Sequence, residues 1–242
     1  MTERQDKILK ALIMEYVRTA EPVGSELLTE RYRLPYSPAT VRAELAQLED
    51  EGYLDQPHTS AGRIPTDLGY RYFVNQIMPK GNLPREEVEY LKTELLRLQA
   101  KHNRLARSTA KLLAGLSQNL AIAGLIGRDE FHEAGLSELL KEPEFLESEC
   151  LLDVSKLLSV LEDNFETFVN DSNSTPHVYI GEENPYAPVR HLSMVLASCT
   201  LPSGEKGLLA IIGPTRMRYD RNIRLLKAVA EAMEKEESNE YN

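Results

Sequence analysis

These 242 residues contain two cysteines, fewer cations than anions, and no apolar run long enough to cross a bilayer. Cys150 and Cys199 have no metal-like spacing, which leaves them as buried thiols of a cytoplasmic protein rather than a disulfide framework. The first residues, MTERQDKILK, are charged and lack the apolar centre of a secretion signal. The five histidines show no ligand spacing, so neither a metal nor a cofactor is expected. With 28 Lys and Arg against 38 Asp and Glu, the net charge of −10 excludes a protein that coats nucleic acid by bulk attraction. No internal repeat is present.

The charge is unevenly placed. Residues 1–80 hold 10 Lys and Arg against 12 Asp and Glu, which leaves −8 for the remainder. A near-neutral first third can bind DNA when its cations gather on one face. At 42% apolar, the chain can bury a core, and its length suits two.

The first third reads as three helices and a ribbon. Ile8, Leu9, Leu12, Ile13, Tyr16 and Val17 recur at helical spacing behind a Thr2–Gln5 capping box. EPVG ends that helix, and Ser25 caps a short second one, ELLTERY, which presents Leu27 and Leu28. Ser37 followed by Pro38 starts a third, PATVRAELAQLEDE, which stops at Gly52. Extended pieces around YLDQ and RIPT flank QPHTSAG, and Thr66 caps a helix carrying Leu68, Phe73, Val74 and Ile77. Three helices followed by a two-stranded ribbon make a winged helix-turn-helix, with QPHTSAG at the tip of the wing.

The third helix carries the chemistry. Val41, Leu45 and Leu48 must face the core, which puts Ala39, Ala43 and Ala46 opposite, with Arg42 and Thr40 on the flanks. Small residues let a helix settle into a major groove, where alanine can touch a thymine methyl. Arg42 suits either guanine or a phosphate, and Ser37 and Thr40 with the helix N–H groups suit a phosphate oxygen. The competing reading is a good helix former with an ordinary surface arginine. In the wing, Arg63 suits a phosphate or the minor groove; His58, Thr59 and Ser60 can donate hydrogen bonds, and Gly62 permits close backbone approach. A Ser60–His58 nucleophile and base lacks an acidic partner and fixed geometry, so no catalytic constellation can be assembled.

Beyond MPKGNLPREE, which places a boundary at about 78–84, the period changes twice. Val88, Leu91, Leu95, Leu98, His102, Leu105, Thr109, Leu112 and Leu116 form a heptad seam that predicts one long helix over 84–120, decaying into AIAGLIG. A stripe from Leu151 through Leu161 to Phe168 predicts another helix. HVYIG, LSMVLASCTL and GLLAIIG read as strands, the last two joined as a hairpin by PSGEK. GPTR follows as a strand-to-helix turn, without the glycine spacing and lysine of a phosphate loop. YDRNIRLLKAVAEAMEKEE closes as an amphipathic helix with a solvated tail at 237–242.

Through EPVGSELLTERY, SPATVRAELAQLEDEGYLDQPHTSAGRIPTDLGYRYFV and LLAIIGPTRMRYDRNIRLL, the sequence resembles the HrcA family of bacterial heat-inducible transcription repressors. The resemblance covers about half of the chain. It implies a homodimer that binds an inverted-repeat operator in double-stranded DNA upstream of chaperone genes, with the chaperonin assisting its active state. It carries DNA reading to Ser37, Thr40 and Arg42 and to His58, Ser60, Gly62 and Arg63. It also relates the C-terminal part to GAF domains.

Two departures from the family stand out. Ala43 replaces the family's usual asparagine, and about a hundred residues of the central region, including an inserted domain that helps dimerisation, are missing. The expected architecture is therefore α+β: a DNA-binding winged helix over 1–80, then a long helix and a reduced GAF-like assembly domain over 84–236. The heptad helix, with the C-terminal hairpin, is the expected dimer surface. Two other readings stay open: a regulator whose GAF-like domain senses a small molecule, and a winged helix used only for protein association.

Overall fold

The computed structural model of the chain describes residues 1–59, 61–79, 81–99, 105–126, 130–146, 148–171, 174–184 and 189–234. It is a mixed α+β chain that divides into two compact units, one of 1–80 with 215–218 and one of 81–214 with 219–242.

In the first unit, α1 (Glu3–Thr19) begins at the predicted capping box: Thr2 Oγ1 accepts from the Gln5 N–H, and Gln5 Oε1 accepts from the Thr2 N–H. Its apolar stripe, Ile8, Leu9, Leu12 and Ile13, is buried. Helix α2 spans Ser25–Arg31, and its cap is Gly24 rather than Ser25, which lies inside the first turn and is itself buried. Leu28 enters the core while Leu27 stays 38% exposed, because seven residues offer only one inward face. Helix α3 (Pro38–Asp50) starts on Ser37 and buries Val41, Leu45 and Leu48. Gly52 (φ +80°) turns the chain out of it in the left-handed region, where a side chain would be strained. Strands β1 (Leu54–Asp55) and β2 (Ile64–Pro65) pair antiparallel, and α4 (Asp67–Tyr72) follows under its Thr66 cap. The predicted last helix continues over Phe73–Ile77 as a π-helical turn. Phe73 is buried there, whereas Leu68 stands half exposed.

The second unit departs more from expectation. Helices α5 (Arg85–Gln99) and α6 (Leu105–Ser117) replace the single long helix, while His102 lies outside the described residues. Leu91, Leu95, Leu105 and Thr109 of the predicted seam are buried within this unit, where α5 and α6 both pack on the C-terminal helix. They cannot also form a seam with a second copy. The start of AIAGLIG, expected as the fraying end of a helix, lies in strand β3 (Leu120–Leu125), and β4 (Glu130–Ala134) pairs with it. The short α7 (Leu136–Leu139) and a 3-10 turn (Pro143–Leu146) lead to α8 (Ser148–Asp163) and α9 (Phe165–Asp171), two helices where one was predicted. Strands β5 (His177–Ile180), β6 (Leu192–Thr200) and β7 (Lys206–Pro214) form as read, and α10 (Tyr219–Glu234) closes the fold. The tail predicted at 237–242 is outside the described residues.

The sheet is antiparallel in the order β4-β3-β7-β6-β5. Alternate residues Leu120, Ile122, Met194, Leu196, Leu208 and Ile212 share a core with Phe145, Val154, Leu161 and Phe168. The opposite face receives α6 and α10, with Tyr219 Oη donating to Ser193 Oγ at 2.7 Å. Covered on both faces, the central strands are apolar at successive positions, which is why β6 and β7 read as unbroken runs. Among the described residues no helix is long and apolar enough to cross a membrane.

Candidate nucleic-acid interface

Helix α3 turns small side chains and one arginine outward over its first two turns. Ser37 Oγ accepts from the Thr40 N–H at 3.1 Å and lies 2.9 Å from Thr40 Oγ1, so both hydroxyls first of all build the helix start. Ala39, Arg42, Ala43 and Ala46 are exposed, as the helical spacing predicts. The one acid of this stretch, Glu44, is neutralised by Arg4 at 3.1 Å, and Arg4 also lies over the Tyr36 ring with its guanidinium carbon 5.4 Å from the centroid. Arg42 has no ion-pair partner among the described residues. The face therefore offers one unengaged guanidinium among methyl groups.

The loop between β1 and β2 is held by one of its own side chains. Gln56 Nε2 donates to the Ala61 carbonyl at 2.8 Å and to the Thr59 carbonyl at 3.2 Å, and the Ala61 N–H bonds the His58 carbonyl. This closes the tip and leaves His58 and Thr59 exposed, while Ser60 lies outside the described residues.

Gly62 and Arg63 sit beside β2, at the base of this loop rather than at its tip. Arg63 N–H and C=O both pair with Val23 at 2.9 Å, adding a one-residue rung to the ribbon. A Cβ on Gly62 would overlap the Val23 backbone, so the close approach that glycine permits here is to the protein itself. The Arg63 guanidinium turns back to α3, where Nε and Nη2 both meet Glu49 Oε2, at 2.9 and 2.8 Å. The side chain is only 19% exposed.

The frame under this surface has a centre that composition and motif reading overlooked. Glu15 is buried, its Oε1 accepting from Arg18 and Arg31, each at 2.6 Å, and its Oε2 from the Tyr32 hydroxyl at 3.1 Å. Burial, then the Glu15 hydrogen bond, pushes the Tyr32 hydroxyl up to about 12. A signal was present, because Ile8, Leu12, Glu15 and Thr19 share one helical stripe and an acid interrupts its apolar run. The Tyr72 hydroxyl donates to Asp6 at 3.0 Å, and burial followed by that bond raises it too.

GPTR leads out of β7 as the predicted turn before α10, and Arg216 is buried. Among the described residues no group of three or more His, Cys, Asp or Glu could hold a metal ion.

Residues 80–223 match the HrcA protein C terminal domain. The chain belongs to the HrcA family. A heat-inducible transcription repressor HrcA of Moorella thermoacetica is 42% identical over 152 residues, 63% of this chain and 43% of that protein. One from Symbiobacterium thermophilum is 43% identical over 137 residues, 39% of its length, so this chain spans about two fifths of such HrcA relatives. The HrcA of Natranaerobius thermophilus aligns at 28% identity over 329 positions, with 94% of each chain covered. That alignment is longer than this chain, so the relative carries internal residues that are missing here. A hypothetical protein solved at 2.2 Å resolution superposes with a TM-score of 0.74 at 20% identity, over 96% of this chain and 98% of that one, which shows the fold alone.

Proposed function

We propose that this HrcA-family chain is a sequence-specific DNA-binding repressor of heat-shock (chaperone) genes, and not an enzyme. In this reading residues 1–80 are a winged helix-turn-helix whose α3 enters the major groove while the wing lies beside it. The observation that carries the reading is the exposed face of α3, where Arg42 stands between Ala39 and Ala43 without an ion-pair partner among the described residues and the neighbouring acid is neutralised. Methyl groups allow close approach, and a guanidinium supplies a bidentate donor for guanine or a charge for phosphate. Ser37 and Thr40 would meet a phosphate at the helix start, and His58 with Ser60 would reach the backbone from the wing tip. The name of the relatives, heat-inducible transcription repressor, supports the same reading.

The second unit, in this proposal, is the GAF-like assembly domain of a cytoplasmic homodimer that reads two operator half-sites, with the chaperonin as modulator. The dimer surface must lie away from Leu91 and Leu95, which are buried within the unit.

The test is a titration of the full chain against an inverted-repeat duplex and a scrambled one at two salt concentrations. Tight binding to the repeat alone is expected, with a log–log salt slope of roughly −0.9 for each phosphate neutralised. Equal and weak binding to both duplexes would overturn the reading.

A further inference from the structure

Arg63 is the residue of the wing with the strongest apparent claim on DNA, and its geometry argues for a different task. Its backbone is held on both sides of the peptide by Val23, and its guanidinium is held by Glu49 through two donors on one carboxylate oxygen. Gly62, immediately before it, admits no side chain against Val23. Three anchors thus converge on one residue: the segment between α1 and α2 through Val23, the last turn of α3 through Glu49, and β2 through Ile64, which is paired with Asp55. The pair is partly shielded from water, at 19% and 31% exposure, where a planar fork and a carboxylate hold their geometry better than on an open surface.

We propose that Glu49 and Arg63 form a latch that fixes the wing at a set angle to α3, and that Arg63 governs DNA affinity through this position rather than by touching a phosphate. This rests on the repressor reading for its consequence, but not for the latch. A wing and a recognition helix contact one rigid duplex together, so a wing free to swing must be ordered on each binding event, and affinity falls by that cost. Both residues are positioning residues. Arg42 and the wing tip make the contacts.

The experiment uses the full chain with Glu49→Gln, Arg63→Gln and the double substitution. Without DNA, amide hydrogen exchange at Val23 and Arg63 is expected to quicken in both single variants while that at Ile8 and Leu12 in α1 stays slow, which shows that the unit remains folded. Unchanged protection at Val23 and Arg63 would overturn the latch. Against the inverted-repeat duplex, Arg63→Gln is expected to weaken binding on the order of tenfold, and adding Glu49→Gln should weaken it no further, because coupled residues act as a unit. The salt slope should stay at its wild-type value. A slope smaller by about 0.9 in Arg63→Gln would mean a lost phosphate contact and would overturn the positioning role. If the wild type binds no duplex at all, the repressor reading fails, and the exchange measurement alone decides whether the latch exists.

Discussion

Arg31 Nη1 donates to Glu15 Oε1 at 2.6 Å, joining α2 to α1 through a carboxylate side chain that is only 2% exposed. Removing that acceptor frees two half-exposed guanidinium groups and leaves the Tyr32 hydroxyl without its carboxylate. Glu15→Ala is expected to lower the stability of the first unit by about 2 kcal/mol, as losing hydrogen bonds to a charged group does. Urea denaturation followed through this unit checks it, and an unchanged midpoint would show that the cluster adds nothing.

Gly62→Ala places a methyl group into the Val23 backbone. The strand must shift, so the Val23–Arg63 rung should open, at a cost of about 2 kcal/mol typical of overpacking. Hydrogen exchange at those two amides reads the opening directly, and retained protection would mean that the segment relaxes without loss.

Thr109 is wholly buried on α6, and its Oγ1 has no hydrogen-bond partner among the described residues. Thr109→Val keeps the shape and removes the unpaired hydroxyl, so the second unit should gain about 1 kcal/mol. A loss on thermal or urea unfolding would reveal a partner for that oxygen.

Burial, then nearby Glu234, pushes the Cys199 thiol from its ordinary 9.0 up to about 12, against a lowering backbone hydrogen bond from Gly207. Tyr32 moves from 10.0 to about 12. Unfolded chains would release these protons first, so the unfolded state binds fewer protons over this range and stability falls as pH rises. Both contributions are complete below pH 9 and are lost between about 9 and 12. Urea midpoints measured at pH 8 and pH 10.5 should drop, less so in Cys199→Ala, and Cys199 should resist thiol reagents at pH 8 until the chain unfolds.

For Arg42→Ala the two proposed contacts separate cleanly. Loss of a phosphate contact reduces the salt slope by about 0.9 and weakens all duplexes alike, whereas loss of a guanine contact costs about 1–3 kcal/mol at one base pair and relaxes preference there. Unaltered binding to every duplex would remove α3 from the interface.

Local signals sufficed wherever one segment carried its own instruction. The Thr2–Gln5 box, Ser37–Pro38, Gly52 and the PSGEK turn each act within a few residues, and each appears where it was read. The relatives' motifs were legible for the same reason, being contiguous stretches. The seam over Leu91–Leu116 failed because three-four spacing describes any buried helical face. A strict heptad drifts only about 20° per repeat from an ordinary helix, too little to separate a partner helix from the chain's own. Strand β3 was missed because alanine and glycine favour no strand by themselves, and only pairing with β4 and β7 makes Leu120–Leu125 extended.

The candidate interface divides along the same line. Which residues of α3 face outward follows from a rotation of 100° per residue, so Ala39, Arg42 and Ala43 could be placed from the sequence alone. That Glu15 gathers Arg18, Arg31 and Tyr32, that Gly62 serves Val23, and that Arg63 turns to Glu49 were decided by the tertiary fold. Periodicity is a property of one helix, whereas a charge meets its partner only after separate elements have packed.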